Sequence, residues 1–295
     1  MTTLILIAGP TAIGKTALAI EWAKALHTEI ISFDSRQFYR ELNIGVARPS
    51  EEELSAAKHH FIACRSVTEP YNVFDYEHDA LSLLEGLFRK HDTVIAVGGS
   101  GLYIDALCQG IALLPDPAPG LRERLQQESL ESKQRQLQAL DPIYYAQVDK
   151  QNPVRLQRAL EVILTAGRPY SEIIQPSQTP RPFRIVKVAL HAERDIIKER
   201  INLRTDAMIR QGLIEEARQM LPHRHLNTLN TVGYKEIFAH LDGTISLEKA
   251  VADIKTHTWQ YAKKQLTWLR RYNDMVWLDR ANFQHSLQVL EQILH

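Results

Sequence analysis

The chain has 295 residues, 44% of them hydrophobic, which is enough for one large or two small globular domains. Its 35 Lys and Arg residues balance 35 Asp and Glu residues, so net charge neither indicates nor excludes a nucleic-acid partner. Cys64 and Cys108 form no CxxC pattern, which argues against a zinc site and favours a reduced, cytoplasmic environment. With a strand predicted at its very start and no apolar run of about 20 residues, we expect neither a signal peptide nor a membrane span.

A glycine-rich turn follows the first predicted strand, at 4–8, and leads into a predicted helix at 17–26. The turn has the G-x-x-x-x-G-K-T pattern of a phosphate-binding loop in its required context of strand, loop and helix. Its backbone N–H groups attract phosphate oxygens, Lys15 adds a positive charge, and the Thr16 hydroxyl can ligate Mg²⁺. The sequence therefore predicts a site for a diphosphate or triphosphate, formed by Gly9, Pro10, Thr11, Ala12, Ile13, Gly14, Lys15 and Thr16.

Three more β-rich runs, at 29–33, 93–97 and 185–190, alternate with helical patterns such as that at 77–90. Strands that alternate with helices are typical of βαβ units, in which the strands pair in parallel and helices cover the sheet. The sequence therefore predicts an α/β fold built on a parallel sheet with a phosphate-binding loop.

A proline-rich stretch at 114–120 interrupts this alternation, and the chain then reads as helical until Gly167, which can end a helix. We therefore predict an all-helical insertion at 114–183 within a core made of 1–113 and 184–295. A helical lobe of this kind either closes over a substrate or serves as scaffold, and the residues alone favour neither role.

Polar residues follow two of the predicted strands. The run 29–33 leads to Asp34, and the run 93–97 leads to a Gly-Gly-Ser-Gly turn at 98–101. Both should lie beside the phosphate-binding loop, because ligands bind at the carboxyl ends of parallel strands. Asp34 is a candidate general base or a group that orients the surroundings of Mg²⁺, and Gln37 could read an adenine edge. By spacing alone, either segment could instead be an ordinary turn or helix cap.

Two basic clusters lie at 152–158 and 263–272. The second holds four cations and no acid, and it ends a long final helix that Ser246 is expected to cap. Residues at helical spacing in this helix, among them Tyr261 and Trp268, are expected to face inward. Cations interleaved with aromatic side chains suit RNA, although such runs are more often solvated helix faces.

Taken together, these segments resemble the tRNA dimethylallyltransferase family of bacterial tRNA isopentenyltransferases. They occur in family order along nearly the whole chain, and the ordered set is far more specific than a phosphate-binding loop alone. The matching segments are GPTAIGKT at 9–16, DSRQFY at 34–39, NIGVARP at 43–49, HHF at 59–61, GGSGLY at 98–103, NPVRLQRALEV at 152–162, Arg204…Met208…Gly212-Leu213, TVGYKE at 231–236 and KKQLTWLRR at 263–271.

The resemblance implies transfer of a dimethylallyl group from its diphosphate to N6 of adenosine 37 in tRNA, with Mg²⁺ at Thr16. One core with a helical clasp needs no partner subunit, so we expect a monomer. It implies that Arg204 helps the loop hold the diphosphate, that Ser100 binds the bridging oxygen, and that Asp34 is the general base. It also implies that the helical insertion clasps the anticodon stem-loop. The residues that the resemblance assigns to tRNA binding are Asp34, Ser35, Arg36, Gln37, Arg122, Val154, Arg155, Leu156, Gln157, Arg158, Gly233, Tyr234, Lys235, Lys263, Lys264, Gln265, Trp268 and Arg270.

Two departures from the family pattern concern the site. Ser100 stands where the family commonly has Thr, and Ile13 replaces a small polar residue, a change expected to narrow the site or tune the prenyl pocket. Three other functions remain open: a small-molecule kinase, an isopentenyltransferase acting on free adenine nucleotides, and a nucleotide-gated RNA-binding switch. The kinase predicts ATP turnover and the second alternative predicts prenylation of AMP, and neither explains the C-terminal basic cluster.

Overall fold

The computed structural model describes residues 1–174 and 180–294. The chain divides into two compact units, one formed by Met1–Cys108 with Arg181–His295 and the other by Gln109–Pro180. In its described residues the second unit contains the helices between Leu121 and Ile173 and no strand, and it begins a few residues earlier than the insertion predicted at 114–183. Among the described helices, none combines the length and the apolar character that a membrane span requires.

A sheet of six strands forms the centre of the first unit in the described part of the chain. The strands are β1 (Thr3–Ala8), β2 (Ile30–Ser32), β3 (His59–His60), β4 (Thr93–Val97), β5 (Arg184–His191) and β6 (Met275–Asp279). Their order is β3-β2-β4-β1-β5-β6, and all of these pairings are parallel, which confirms the predicted fold class. β3 and β6 were not predicted: β3 has only two residues, too few for a clear pattern, and the run Met275–Asp279 of β6 was not recognised as a strand.

The helices cover the sheet or build the second unit. Their bounds are α1 (Lys15–Ala25), α2 (Glu51–Ala56), α3 (Val73–Leu87), α4 (Gly101–Gln109), α5 (Leu121–Gln127), α6 (Leu130–Leu140), α7 (Pro142–Gln147), α8 (Pro153–Ala166), α9 (Tyr170–Ile173), α10 (Arg194–Gln211), α11 (Leu213–Gln219), α12 (Tyr234–Leu241), α13 (Leu247–Leu269) and α14 (Ser286–Leu294). Short 3₁₀ helices lie at Leu221–His223, Asn227–Leu229 and Arg280–His285.

Local capping chemistry explains several of these helix ends. The Ser246 hydroxyl accepts a hydrogen bond from the Lys249 N–H at 3.2 Å, which confirms the predicted N-cap of α13. Gly167 adopts the left-handed conformation and ends α8, also as predicted. The prediction that the long helix is the last element is wrong, because β6 and α14 follow it.

Two apolar clusters lie on the opposite faces of the sheet, and β1 contributes to both because successive strand residues point to opposite sides. Leu4 and Leu6 join the cluster that contains residues of α3 and α12, whereas Ile5 and Ile7 join the cluster beneath α1. The second unit has an apolar cluster of its own, built from residues of α5 to α9 and the turns between them. Each unit therefore buries its own core.

Candidate active site

Three loops meet at one edge of the sheet because β2, β4 and β1 are neighbours. Ile7 of β1 is paired with Val97 of β4, and Val97 is paired with Ser32 of β2, so the three strands end at the same level. The phosphate-binding loop, the Gly-Gly-Ser-Gly turn at 98–101 and Asp34 follow these three strands directly. The structure thus brings together the strand-end groups that the sequence predicts to share a site.

The conformation of the phosphate-binding loop depends on its glycines. Gly9 and Gly14 have φ angles of +147° and +107°, and a Cβ atom added at Gly9 would lie 2.8 Å from the Leu190 carbonyl oxygen. Within the described part of the chain, the backbone N–H groups of residues 12–16 donate no hydrogen bond. Lys15 Nζ donates to the Pro10 carbonyl oxygen at 2.9 Å. The loop therefore offers free N–H donors and one ammonium group to a ligand.

Two cavities adjoin these loops and share part of their walls. The large cavity, of about 930 Å³, is lined by Lys15, Thr16 and residues of α10. The small cavity, of about 390 Å³, is lined by Lys235, Tyr261 and other residues of α12 and α13 or the loops before them. The residues common to both walls are Thr11, Asp34, Val46, Arg204 and Met208. Asp34 therefore faces both spaces.

Several cations crowd the large cavity. Arg204 donates a hydrogen bond to the Thr11 hydroxyl, and Arg200 Nε donates to the Ala12 carbonyl oxygen at 2.6 Å. Burial lowers the pKa of Lys15 to about 8; the Asp34 carboxylate opposes this shift and Arg204 adds to it. Burial likewise lowers the pKa of Arg204 to about 10, again against the opposing effect of Asp34. A bound polyanion would relieve this crowding of positive charge.

Arg200 is a further cation at this cavity, and the sequence analysis missed it. It lies one helical turn before Arg204 on α10, and this i, i+4 spacing was the signal that could have identified it. Its side chain lines the large cavity and is hydrogen-bonded to the backbone of the phosphate-binding loop at Ala12.

We expect the affinity for inorganic diphosphate to decrease as pH rises above about 8. Lys15 loses its proton there in the free protein, and binding must then restore it, so Kd should rise by up to about tenfold per pH unit. Calorimetric titration between about pH 6.5 and about 9.5 measures this dependence. The Lys15→Arg variant keeps its charge and should give a flatter curve; equal slopes in both proteins would contradict the assignment to Lys15.

The Gly-Gly-Ser-Gly turn is tied to both neighbouring loops. Gln265 of α13 accepts a hydrogen bond from the Thr11 N–H and donates one to the Gly99 carbonyl oxygen, each at 2.8 Å. The Ser100 hydroxyl donates to Ser35 Oγ at 3.3 Å. Among the described residues, Ser100 is not part of either cavity wall, although Val97 and Gly98 are. The structure thus places Ser100 one hydrogen bond behind the surface that a ligand would meet.

The loop from Asp34 to Gln37 is ordered by its own polar groups. The Asp34 carboxylate accepts a hydrogen bond from the Arg36 N–H at 3.1 Å. Gln37 Nε2 donates to the carbonyl oxygens of Val46 and Ala47 at 3.3 and 2.9 Å, so its amide hydrogens are already used. Ser35 and Arg36 line the small cavity, and Gln37 lines the large one.

Glu216 is a second group that the sequence analysis missed. Its carboxylate accepts hydrogen bonds from three consecutive backbone N–H groups, at 43–45, with distances of 2.8 to 3.0 Å. It also accepts one from the Tyr234 hydroxyl at 2.5 Å. An added Cβ atom on Gly45 would lie 2.6 Å from the Tyr234 ring, so this contact requires glycine. The loop at 43–49, which lines the large cavity, is therefore anchored to α11 and α12.

Five expectations about individual side chains need correction. Tyr234 and Leu156 are fully buried, so these side chains do not belong to an accessible RNA-binding surface. Gln265 is only 6% exposed, and Trp268 packs against Gly101, where an added Cβ atom would lie 2.5 Å from the indole. Ile13 is fully buried in an apolar cluster and does not line the large cavity, so it supports the loop and does not narrow the site.

Other predicted side chains of the first unit are accessible. Lys263 and Lys264 of α13 and Arg270, which directly follows this helix, are exposed. Lys235 is exposed at the small cavity, and Gly233 lines the same cavity with its backbone. Tyr261, expected to face inward, is 43% exposed and lines the small cavity beside Ser100.

In the second unit, three predicted RNA-binding side chains converge on one acid. Arg122 and Arg158 form ion pairs with Glu161 at 3.2 and 3.3 Å, and Gln157 donates to the same carboxylate at 3.1 Å. Burial alone would raise the pKa of Glu161, but the hydrogen bonds from Arg122 and Gln157 outweigh it and keep the pKa below its usual value. Val154 and Arg155 at the start of α8 are exposed. Glu161 thus joins α5 to α8.

The oxygen donors at the large cavity are compatible with Mg²⁺. The Thr16 hydroxyl and the Asp34 carboxylate both line it, and hard oxygen ligands are those that Mg²⁺ prefers. The described residues contain no group of three or more His, Cys, Asp or Glu that could hold a metal by itself. Thr16 and Asp34 therefore fit an ion whose remaining ligands come from phosphate oxygens and water.

Comparison with known proteins identifies close relatives along the full chain. The family model described as IPP transferase matches residues 37–272. The tRNA dimethylallyltransferase of Christiangramia forsetii is 47% identical over 280 residues, which cover 94% of this chain and 93% of that protein. The tRNA dimethylallyltransferase 1 of Phocaeicola vulgatus is 43% identical over 297 residues, covering 99% of each. The solved structure of a tRNA isopentenylpyrophosphate transferase from Bacillus halodurans superposes with a TM-score of 0.75 at 31% identity, covering 100% of this chain and 96% of that one.

Proposed function

The chain belongs to the IPP transferase family, and on this premise we propose that it transfers the dimethylallyl group of dimethylallyl diphosphate to N6 of adenosine 37 in tRNA. One observation carries the assignment of chemistry to this site: Asp34 lies in the walls of both cavities. The cationic large cavity suits the diphosphate, and the small cavity suits the acceptor base. Asp34 would then lie between donor and acceptor.

In this mechanism the phosphate-binding loop holds the leaving group. When the allylic C–O bond breaks, negative charge develops on the diphosphate, and groups already oriented toward it stabilise that charge. The free N–H groups of residues 12–16, Lys15 and Arg204 are the donors available for this role. Ser100 would exchange its hydrogen bond to Ser35 for one to the bridging oxygen.

Mg²⁺, held by the Thr16 hydroxyl and by diphosphate oxygens, would supply further positive charge to the leaving group. Lys15 and Arg204 are held close to this site by Pro10 and Thr11, so their charges are fixed in place before the donor binds. The protein thus needs little reorganisation as the leaving group departs.

The acceptor is activated by Asp34. The N6 amine of adenine is a weak nucleophile, and a base that takes its proton contributes about 10²–10⁴-fold to the rate. The N–C bond forms as the C–O bond breaks, the amine proton passes to Asp34, and diphosphate leaves. A stacked adenosine cannot reach this position, so the base must turn out of the anticodon loop into the small cavity, beside Arg36, Lys235 and Tyr261.

Exposed Lys and Arg side chains form the proposed tRNA-binding surface. They comprise Lys263, Lys264 and Arg270 in the first unit, and Arg122 and Arg155 in the second. The helical unit would bind the anticodon stem-loop, in line with the role expected for the insertion. The free cysteines at 64 and 108 and the tRNA substrate favour a cytoplasmic enzyme. A single chain contains all the groups that the mechanism needs, so we propose that the enzyme acts as a monomer.

The Lys263→Ala/Lys264→Ala double variant should bind tRNA more weakly and with a smaller salt dependence. Removing one lysine–phosphate interaction should reduce the slope of log Kd against log salt by about 0.7–0.9, so removing two should reduce it by about 1.4–1.8. Filter binding at several salt concentrations measures the slope. The Lys24→Ala/Lys90→Ala variant is the matched control, since both lysines are exposed at the opposite edge of the sheet. An unchanged slope in the first variant would exclude these interactions.

Transfer of label from dimethylallyl diphosphate to an unmodified anticodon stem-loop with A36-A37-A38 tests the proposed function. Reactions contain Mg²⁺, and ATP hydrolysis and AMP prenylation are assayed in parallel. Labelled RNA that is lost when A37 is replaced by G supports the proposal. Label on AMP alone would indicate an adenylate isopentenyltransferase, and ATP turnover without transfer would indicate a kinase.

A further inference from the structure

The side chain of Gln265 connects two loops that are far apart in the sequence. Its Oε1 accepts the hydrogen bond from the Thr11 N–H, and its Nε2 donates to the Gly99 carbonyl oxygen, at 2.8 Å in both cases. The fit is close, since an added Cβ atom on Gly99 would lie 2.2 Å from Nε2. Gln265 is 6% exposed, so both hydrogen bonds are shielded from water.

We propose that Gln265 is a positioning residue that sets the spacing between the phosphate-binding loop and the Gly-Gly-Ser-Gly turn. It would act through Thr11 and Ser100, and it does not contact tRNA, the role expected for it from the sequence. The inference rests on the proposed dimethylallyl transfer, since its readout is the rate of that reaction.

The two atoms that Gln265 holds are placed where small movements matter. Thr11 lines both cavities and is held from two sides, at its N–H by Gln265 and at its hydroxyl by Arg204. Gly99 directly precedes Ser100, so the position of its carbonyl group limits where the Ser100 hydroxyl can lie. A displacement of about 1 Å at a reacting centre can lower a rate about 100-fold.

An amide side chain of this length satisfies both partners at every pH. The Thr11 N–H needs an acceptor and the Gly99 carbonyl needs a donor, and a glutamine amide supplies both at once. An ionised carboxylate supplies the acceptor but no donor, and it would repel the carbonyl oxygen. A protonated carboxylic acid supplies both again, and a thioether supplies neither to a useful degree. These differences make the role testable by substitution and pH.

The experiment compares Gln265→Glu and Gln265→Met with the wild type and with Gln260→Glu, which makes the same change at an exposed position of α13. At about pH 8 we expect kcat at saturating tRNA and donor to fall about tenfold or more in both Gln265 variants. The tRNA Kd should stay within about twofold, because the side chain has no contact with RNA. As pH falls toward about 6, the kcat ratio of Gln265→Glu to wild type should rise, whereas that of Gln265→Met should stay flat.

Three results would overturn the proposal. The first is a wild-type kcat in Gln265→Met. The second is a tRNA Kd about tenfold higher in the Gln265 variants with kcat retained, and the third is the same pH dependence of the ratio of variant to wild-type kcat in both Gln265 variants. Thermal unfolding verifies that each variant is folded. If Gln265→Glu does not fold, the kcat and the tRNA Kd of the size-matched Gln265→Met variant test the proposal. Absence of transfer in the wild type and in Gln260→Glu would instead contradict the proposed function.

Discussion

Replacing Asp34 with Asn is expected to lower the rate of dimethylallyl transfer by about 10²–10⁴-fold while the protein still binds donor and tRNA. Asn can keep the hydrogen bond from the Arg36 N–H that shapes the loop, but it cannot accept the amine proton. Single-turnover transfer with both substrates saturating measures the chemical step. The Asp92→Asn variant, at an exposed position before β4, is the control for loss of one negative charge. A rate within about threefold of wild type would exclude Asp34 as the base.

The same variant should change the titration of its neighbours. The Asp34 carboxylate raises the pKa of Lys15, so its removal should bring that pKa below about 8. The loss of diphosphate affinity with rising pH should then begin at a lower pH than in the wild type. A shift of this pH would show that the Asp34 carboxylate lies close enough to Lys15 to act on its charge. An unchanged pH would show that it does not.

Replacing Lys15 with Met is expected to reduce kcat/KM for the donor by about 10²–10³-fold and yet to stabilise the free protein. The ammonium group is buried among other cations, and its lowered pKa means that folding disfavours its charge. This cost is fully present below about pH 8 and is relieved as the pH approaches 10.5. Met keeps the length of the side chain without the charge. The variant should bind the donor more weakly, because the Lys15 ammonium group that destabilises the folded protein is also the group that binds the diphosphate.

Thermal unfolding without ligand tests the second half of this prediction. At pH 7 the melting temperature of Lys15→Met should exceed that of the wild type by about 2–4 °C for each kcal/mol relieved. The advantage should shrink as pH rises above about 8, where the wild-type lysine is neutral. Lys24→Met, an exposed change on the same helix, should not reproduce this pattern. A less stable Lys15→Met protein would contradict the proposed conflict between stability and binding.

Features that depend on neighbouring residues could be predicted from the sequence alone. The phosphate-binding loop is one contiguous segment whose glycines impose its conformation, so its form and its chemistry can be read together. The N-cap of α13 at Ser246 and the end of α8 at Gly167 follow from local hydrogen bonding and a left-handed glycine. β1, β2, β4 and β5 were predicted as apolar, β-rich runs, and their alternation with helices was sufficient to predict the parallel sheet.

Contacts between distant segments were decided only by the tertiary structure. Helical periodicity places Gln265 on a face of α13, but whether that face meets solvent, tRNA or two loops depends on where α13 packs. For the same reason, sequence analysis missed Glu216 as the anchor of the loop at 43–49, and it assigned the buried Tyr234 to RNA. The sequence by itself determined which groups stand at the strand ends, since a strand and the residues that follow it are contiguous in the chain. The folded structure decided which remain accessible and which are held by partners, because burial arises only when separate elements pack together.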